Sequence, residues 1–252
     1  MKIVFSEAGK KFEKEIFNAI ENFNAEGQYI NDGRRNSIKI FSAPQGTLNI
    51  KSFKVPNLVN KIAYRFFRES KAERSFKYAN ILISKNIGTP YPLAYAEEKS
   101  SLGFGHSFYV SEHLESDLTY RELVTEPGFP HHEKILRAFT RFTHKIHENN
   151  IEFLDHSPGN TLIQINEGEY SFFLVDLNRM NFKSMNLEER LKNFSRLTPK
   201  KEMVEVMASE YALLINEPYE EVFNKMWYFT REFQKRFHRK QAFKRKVKFW
   251  KK

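Results

Sequence analysis

Cysteine is absent from the 252 residues, which excludes disulfides, a thiolate nucleophile and zinc sites built on Cys. Its absence suits a reducing compartment. Glycine and proline are sparse, at 10 and 9 residues, and nowhere do they gather into a low-complexity linker. No internal repeat is visible. Long apolar runs are also missing: none approaches the roughly 20 residues that a membrane-spanning helix needs. The opening MKIVFSEAGKKFEKEIF has Ile3, Val4, Phe5 and Ala8 before charge resumes. It lacks the apolar core and small-residue cleavage site of a signal peptide, so the expectation is a cytoplasmic chain. What the sequence does contain is apolar and aromatic: 40% hydrophobic residues and 25 Phe. That is a globular composition, long enough for one two-lobed domain or two small ones.

Acidic residues are missing from one segment in particular. The formal net charge is +10, and residues 234–252 (QKRFHRKQAFKRKVKFWKK) hold ten Lys or Arg and no Asp or Glu. The rest of the chain carries 31 bases and 31 acids, so the whole excess lies in this tail. Phe237, Phe243, Phe249 and Trp250 are interleaved with the bases. Such a segment suits an anionic membrane surface, where each Lys or Arg contributes about 1 kcal/mol. A solvated helix end and a nucleic-acid contact are the competing readings.

Apolar spacing predicts a helix over 10–24, with Phe12, Ile16, Ile20 and Phe23 on one face. SIKIF (37–41) and TLNIKSF (47–53) alternate as strands around an APQG turn. A helical pattern in two pieces covers 58–85 and ends at IGTPYP. LAYAEEK (93–99) and HSFYVSEHL (106–114) form a hairpin across SSLGFG. Beyond Pro130 the pattern turns helical over 132–149, then gives two strands, TLIQI (161–165) and SFFLVDL (171–177), and is helical again from 186. The order predicts an α+β fold of two lobes. The expected divisions are an N-terminal lobe over 1–116, a C-terminal lobe over 117–233, and the basic tail over 234–252.

The segment with the most chemistry is FLDHSPGNTLI (153–163). Asp155 is followed after four residues by Asn160, at the end of a long helix and just before a strand. Asp176 comes sixteen residues later in FFLVDLN. Phosphoryl transfer uses these parts: one carboxylate to take the proton of an attacking hydroxyl, and an amide oxygen and second carboxylate to hold Mg²⁺. In this reading Asp155 is the base, and Asn160 and Asp176 are metal ligands. Each Asp alone could be a turn or helix cap. Together, in a helix–loop–hairpin context, they favour catalysis. The histidines are less telling. His131 and His132 are adjacent, and His144 and His147 lack a carboxylate motif, so surface or core roles fit all four.

DHSPGN followed by TLIQI resembles the catalytic loop of protein kinases, and more closely that of the bacterial lipopolysaccharide (Kdo) kinases. VDLNRM (175–180) is similar to that family's segment in the place of Asp-Phe-Gly. GRRNSIKIF, GTLNIKSFKVPN and residues 70–98 look like its first strand pair, its helix C and the strand after it. The resemblance covers roughly 30–180. It implies a protein-kinase-like fold, ATP and Mg²⁺ as cofactors, and Lys51 as the lysine on the ATP phosphates, with Lys54 as its rival. It further implies Glu73 as the helix partner of that lysine, or else position 77, which here is Lys77. Gly46 stands in the turn over the phosphates, and Glu112 of SEHL in the hinge that receives adenine.

Departures are visible too. Phe153-Leu154-Asp155 replaces His-Arg-Asp, no Gly-rich phosphate loop is present, and Asn178 stands where protein kinases have Gly. Only about ten residues separate Asp176 from the next helical stretch, too few for a peptide-docking segment. The implied acceptor is a sugar of lipopolysaccharide, Kdo on a lipid A precursor, reached at the inner face of the inner membrane with help from the basic tail. The alternatives are another small-molecule or protein acceptor, or an inactive pseudokinase.

Overall fold

The computed structural model describes residues 1–32, 36–55, 68–100 and 103–249. They form two compact units, Met1–Glu115 with Phe173–Arg179, and Ser116–Phe172 with Met180–Lys252. The Gly-Arg-Arg entry at 33–35, the first piece of the helical pattern before residue 68, and Trp250 lie outside the described residues.

The first unit is built on a six-stranded antiparallel sheet. Its strands are β1 (Lys2–Phe5), β2 (Gln28–Asp32), β3 (Asn36–Ala43), β4 (Gly46–Phe53), β5 (Pro92–Ser100) and β6 (Gly103–Glu112), in the order β1-β5-β6-β4-β3-β2. β1 is not legible in the sequence, because its four residues are too few to show alternation. It exists by pairing with β5, Ile3 opposite Ala96. Helix α1 (Glu13–Glu21) covers one face, burying Ile16 and Ile20 against Phe41, Leu48, Ile50 and Val110. The turn before it comes so close to β5 that a Cβ on Gly9 would lie 1.9 Å from the Leu93 carbonyl oxygen, so only glycine fits. Lys39 points into this unit and is 2% exposed. Its Nζ donates to the carbonyls of Phe23 (2.6 Å) and Glu26 (2.7 Å), which makes burial of the charge tolerable.

Helix α2 (Lys71–Ser84) begins at Ser70, whose Oγ accepts the Glu73 N–H at 3.0 Å. Ala72, Ser75, Ala79 and Leu82 form its buried face. The start of segment 173–179 is tied to this unit by two bonds of Leu174. The Leu174 N–H donates to Gly88 O, and Thr89 Oγ1 donates to Leu174 O, both at 2.8 Å.

The second unit is mainly helical: α3 (Tyr120–Thr125), α4 (His132–Glu148), α5 (Leu187–Asn193), α6 (Lys201–Ile215) and α7 (Tyr219–Phe249). Two small sheets complete it. One joins β7 (Leu118–Thr119), β9 (Thr161–Asn166) and β10 (Glu169–Leu174); the other pairs β8 (Ile151–Phe153) with β11 (Met180–Phe182). Ile135, Leu136 and Phe139 of α4 pack with Met203, Met207 and Tyr211 of α6 and with Val222 and Met226 of α7. Each such side chain contributes about 1.5–3 kcal/mol on burial. α7 is held this way only as far as Thr230; from Lys235 to Lys246 its residues are exposed, apart from half-buried Gln241.

Candidate active site

Lys51 lies in the middle of β4, opposite Ile38 on β3 and Tyr109 on β6. Its Nζ is 2.6 Å from Asp176 Oδ1, across 125 residues of sequence. Both side chains are largely covered, 12% and 31% exposed, so this ion pair is stronger than a surface one. Lys54, the rival, is exposed one residue beyond the strand. Asp176 itself lies past the end of β10. The alternation had carried that strand to 177, but it stops at Leu174 because Asp176 adopts the left-handed conformation (φ 58°). Asp tolerates this better than most residues. The turn lets Asn178 Nδ2 donate to the same Oδ1 at 2.6 Å. Asn178 is thus a partner of Asp176, and the only hint of this in the sequence was its replacement of glycine.

Glu73 does not meet Lys51. Its carboxylate is 3.1 Å from Lys77 Nζ, which also reaches Glu69. The cause is local: positions 73 and 77 share one helix face, while Lys51 is occupied by Asp176. Those two carboxylates hold the Lys77 ammonium above the usual lysine range. Gly46 closes the two-residue β3–β4 hairpin, facing Ala43, with φ 144° and open space where a Cβ would stand. Glu112 ends β6 with its N–H donated to Tyr91 O (2.9 Å), and the next N–H, of His113, goes to Thr47 O (2.8 Å). Both backbone donors are thus taken up by neighbouring carbonyls.

In the second unit, β8 delivers the chain to Asp155 through the fully buried Phe153. His156 follows, buried between the rings of Phe139 (5.4 Å) and Phe153 (5.7 Å). Burial pushes the His156 imidazole down to about 4, with the Arg196 charge adding to the effect. Pro158–Asn160 form a single 3-10 turn. Asn160 Nδ2 donates to the Asp155 carbonyl at 2.8 Å, which leaves its Oδ1 to act as an acceptor. One residue missed in the sequence is prominent here. Arg196, in the short turn after α5, has NH2 2.7 Å from Asp155 Oδ1 and NH1 2.9 Å from Leu154 O. Nothing near Arg196 in the sequence pointed to this contact, since its partners lie some forty residues upstream.

Oxygen ligands of the kind that Mg²⁺ prefers occur in each unit. Asp176 and Asn160 offer hard oxygens, and among the described residues neither Asp176 Oδ2 nor Asn160 Oδ1 takes part in a hydrogen bond.

A family model described as the lipopolysaccharide kinase (Kdo/WaaP) family matches residues 41–217. No curated protein matches the chain. A solved structure titled "WaaP in complex with acyl carrier protein" superposes with a TM-score of 0.64. The match covers 93% of this chain and 99% of that one at 16% identity, a likeness that shows the α/β kinase-like fold.

Proposed function

The chain belongs to the lipopolysaccharide kinase (Kdo/WaaP) family, and from that premise we propose that the sugar it phosphorylates is a Kdo residue on a lipid A precursor. As a member it is an ATP-dependent phosphotransferase with an alcohol group as acceptor. The observation that best supports a working kinase is the Lys51–Asp176 pair at 2.6 Å. It joins a strand cation to the turn after β10, where both groups can serve nucleotide phosphates.

Asp155 accepts the proton as the sugar hydroxyl oxygen attacks the γ-phosphorus; the bond to the β-γ bridging oxygen breaks and ADP leaves. Lys51 holds ATP phosphate oxygens as a point charge. Asp176 and Asn160 would hold Mg²⁺, which when bound neutralises charge developing on the phosphate oxygens. Asn178 fixes the Asp176 carboxylate. Gly46 adds no side chain of its own to the β3–β4 hairpin over the phosphates, and Glu112 lies at the adenine hinge. Glu73 supports α2 through Lys77.

The basic end of α7 supports a peripheral place on the inner membrane face, where an anionic, lipid-linked acceptor lies. Among the described residues no helix is long and apolar enough to cross a membrane.

The test is transfer of labelled γ-phosphate to Kdo–lipid A and to the same lipid A without Kdo. Label in the first alone is expected. Equal label in both would contradict the Kdo assignment.

A further inference from the structure

Three consecutive residues at the catalytic loop are gripped by one turn of chain far away in sequence. Asn193 Nδ2 donates to Phe153 O at 2.9 Å. Arg196 NH1 donates to Leu154 O at 2.9 Å, and Arg196 NH2 lies 2.7 Å from Asp155 Oδ1. Asn193 and Arg196 are three apart, the spacing that brings side chains to one face of a helical turn. Asn193 is itself braced by His147 of α4, 3.3 Å from its Oδ1. On its other side the Arg196 guanidinium stacks over the Phe233 ring of α7 at 5.6 Å. The planar guanidinium is thus held through both terminal nitrogens and one face.

We propose that Arg196 is a positioning residue for the phosphoryl transfer: it fixes the rotamer of Asp155 so that the carboxylate meets the acceptor hydroxyl. The inference rests on the reading of Asp155 as the base. Two of its features go beyond stabilising the fold. The fork spans the Asp155 side chain and the peptide just before it, so it sets the carboxylate relative to its own backbone. Phe233 then makes the setting depend on α7, the helix whose far end is the basic tail. A misplacement of about 1 Å in such a group costs on the order of 10²-fold in rate.

The experiment compares Arg196→Ala, Arg196→Lys, Arg196→Gln and Asp155→Asn, each with a melting curve and steady-state kinetics in ATP and in Kdo–lipid A. In the Arg196 variants kcat is expected to fall roughly 100-fold, with both KM values within about threefold of wild type. Lysine keeps the charge but not the fork, so Arg196→Lys is expected to resemble Arg196→Gln. Added methylguanidinium is expected to restore part of kcat in Arg196→Ala, which a merely structural loss would not allow. The double variant Arg196→Gln with Asp155→Asn is expected to be no slower than Asp155→Asn alone, because the two act as a unit. If Arg196→Ala does not fold, the Lys and Gln variants carry the same kcat expectation. Wild-type kcat in folded Arg196 variants, beside an inactive Asp155→Asn, overturns this inference alone. A wild-type rate in Asp155→Asn overturns the reading beneath it and this inference with it.

Discussion

Lys51 and Asp176 illustrate how much a single partly covered charge pair can carry. Among the described residues, removing Lys51 leaves Asp176 Oδ1 with Asn178 alone, and it removes the cation proposed to hold phosphate. Lys51→Ala is expected to lower kcat/KM for ATP on the order of 10²-fold, the usual loss for one preorganised electrostatic contact. The same change at exposed Lys54 is expected to leave it within about twofold, and steady-state kinetics on the two variants would separate them. Asp155, Asn160 and Asp176 were singled out in the sequence by their spacing within two short segments. Lys51, whose pairing with Asp176 came from the structure, was singled out only through the family resemblance, with Lys54 as its rival. Arg196, Asn193 and Asn178 were not. Their residue types are ordinary in helices and turns, and the partners that give Arg196 and Asn193 meaning lie some forty residues away. Glu73 meets Lys77, one turn along the same helix, while the strand lysine Lys51 meets Asp176.

Helix α4 carries the balance between packing and charge. His147 on α4 donates or accepts through Nδ1 with the Tyr211 hydroxyl at 2.8 Å, and it is fully buried. Burial pushes its imidazole down to about 3, and that of His156 to about 4. Both are neutral in the fold but bind protons near pH 6.5 once unfolded. Their contribution is therefore fully present above pH 6.5 and is lost as pH falls from there toward 4. At pH 5.5 the loss is about 1.4 kcal/mol for each, or roughly 3 kcal/mol together. Urea unfolding at pH 7.0 and 5.5 is expected to show it, with His156→Gln roughly halving the difference. A pH-independent midpoint over this range would contradict the burial described. α4 was readable from apolar periodicity and the β3–β4 hairpin from alternation around the APQG turn, whereas α5, α6 and α7 were read only as one helical stretch from 186. β1 was not, because a four-residue strand is specified by its partner β5. The end of β10 was misjudged because apolar alternation cannot reveal that the backbone turns left-handed at Asp176.

Across the whole chain, charge is divided rather than dispersed: 31 bases balance 31 acids outside residues 234–252, and ten bases stand unopposed within them. In the structure residues 234–249 continue α7, a helix of 31 residues, beyond the part that packs on the core. Phe237 and Phe243 are 45% and 67% exposed there among the bases. Deleting 234–252 is expected to weaken binding to phosphatidylglycerol vesicles at least about 100-fold at low salt, given about 1 kcal/mol per base. Wild-type binding is expected to weaken steeply with added salt. Vesicle sedimentation measures both, and undiminished binding by the truncated chain would contradict a membrane role for the tail. The most direct test of the catalytic account is γ-phosphate transfer from labelled ATP to Kdo–lipid A by wild type and Asp155→Asn side by side. The account predicts label on the Kdo sugar with wild type and a loss of at least about 10³-fold in the variant, at the upper range for loss of a general base. Transfer by Asp155→Asn at the wild-type rate would contradict it.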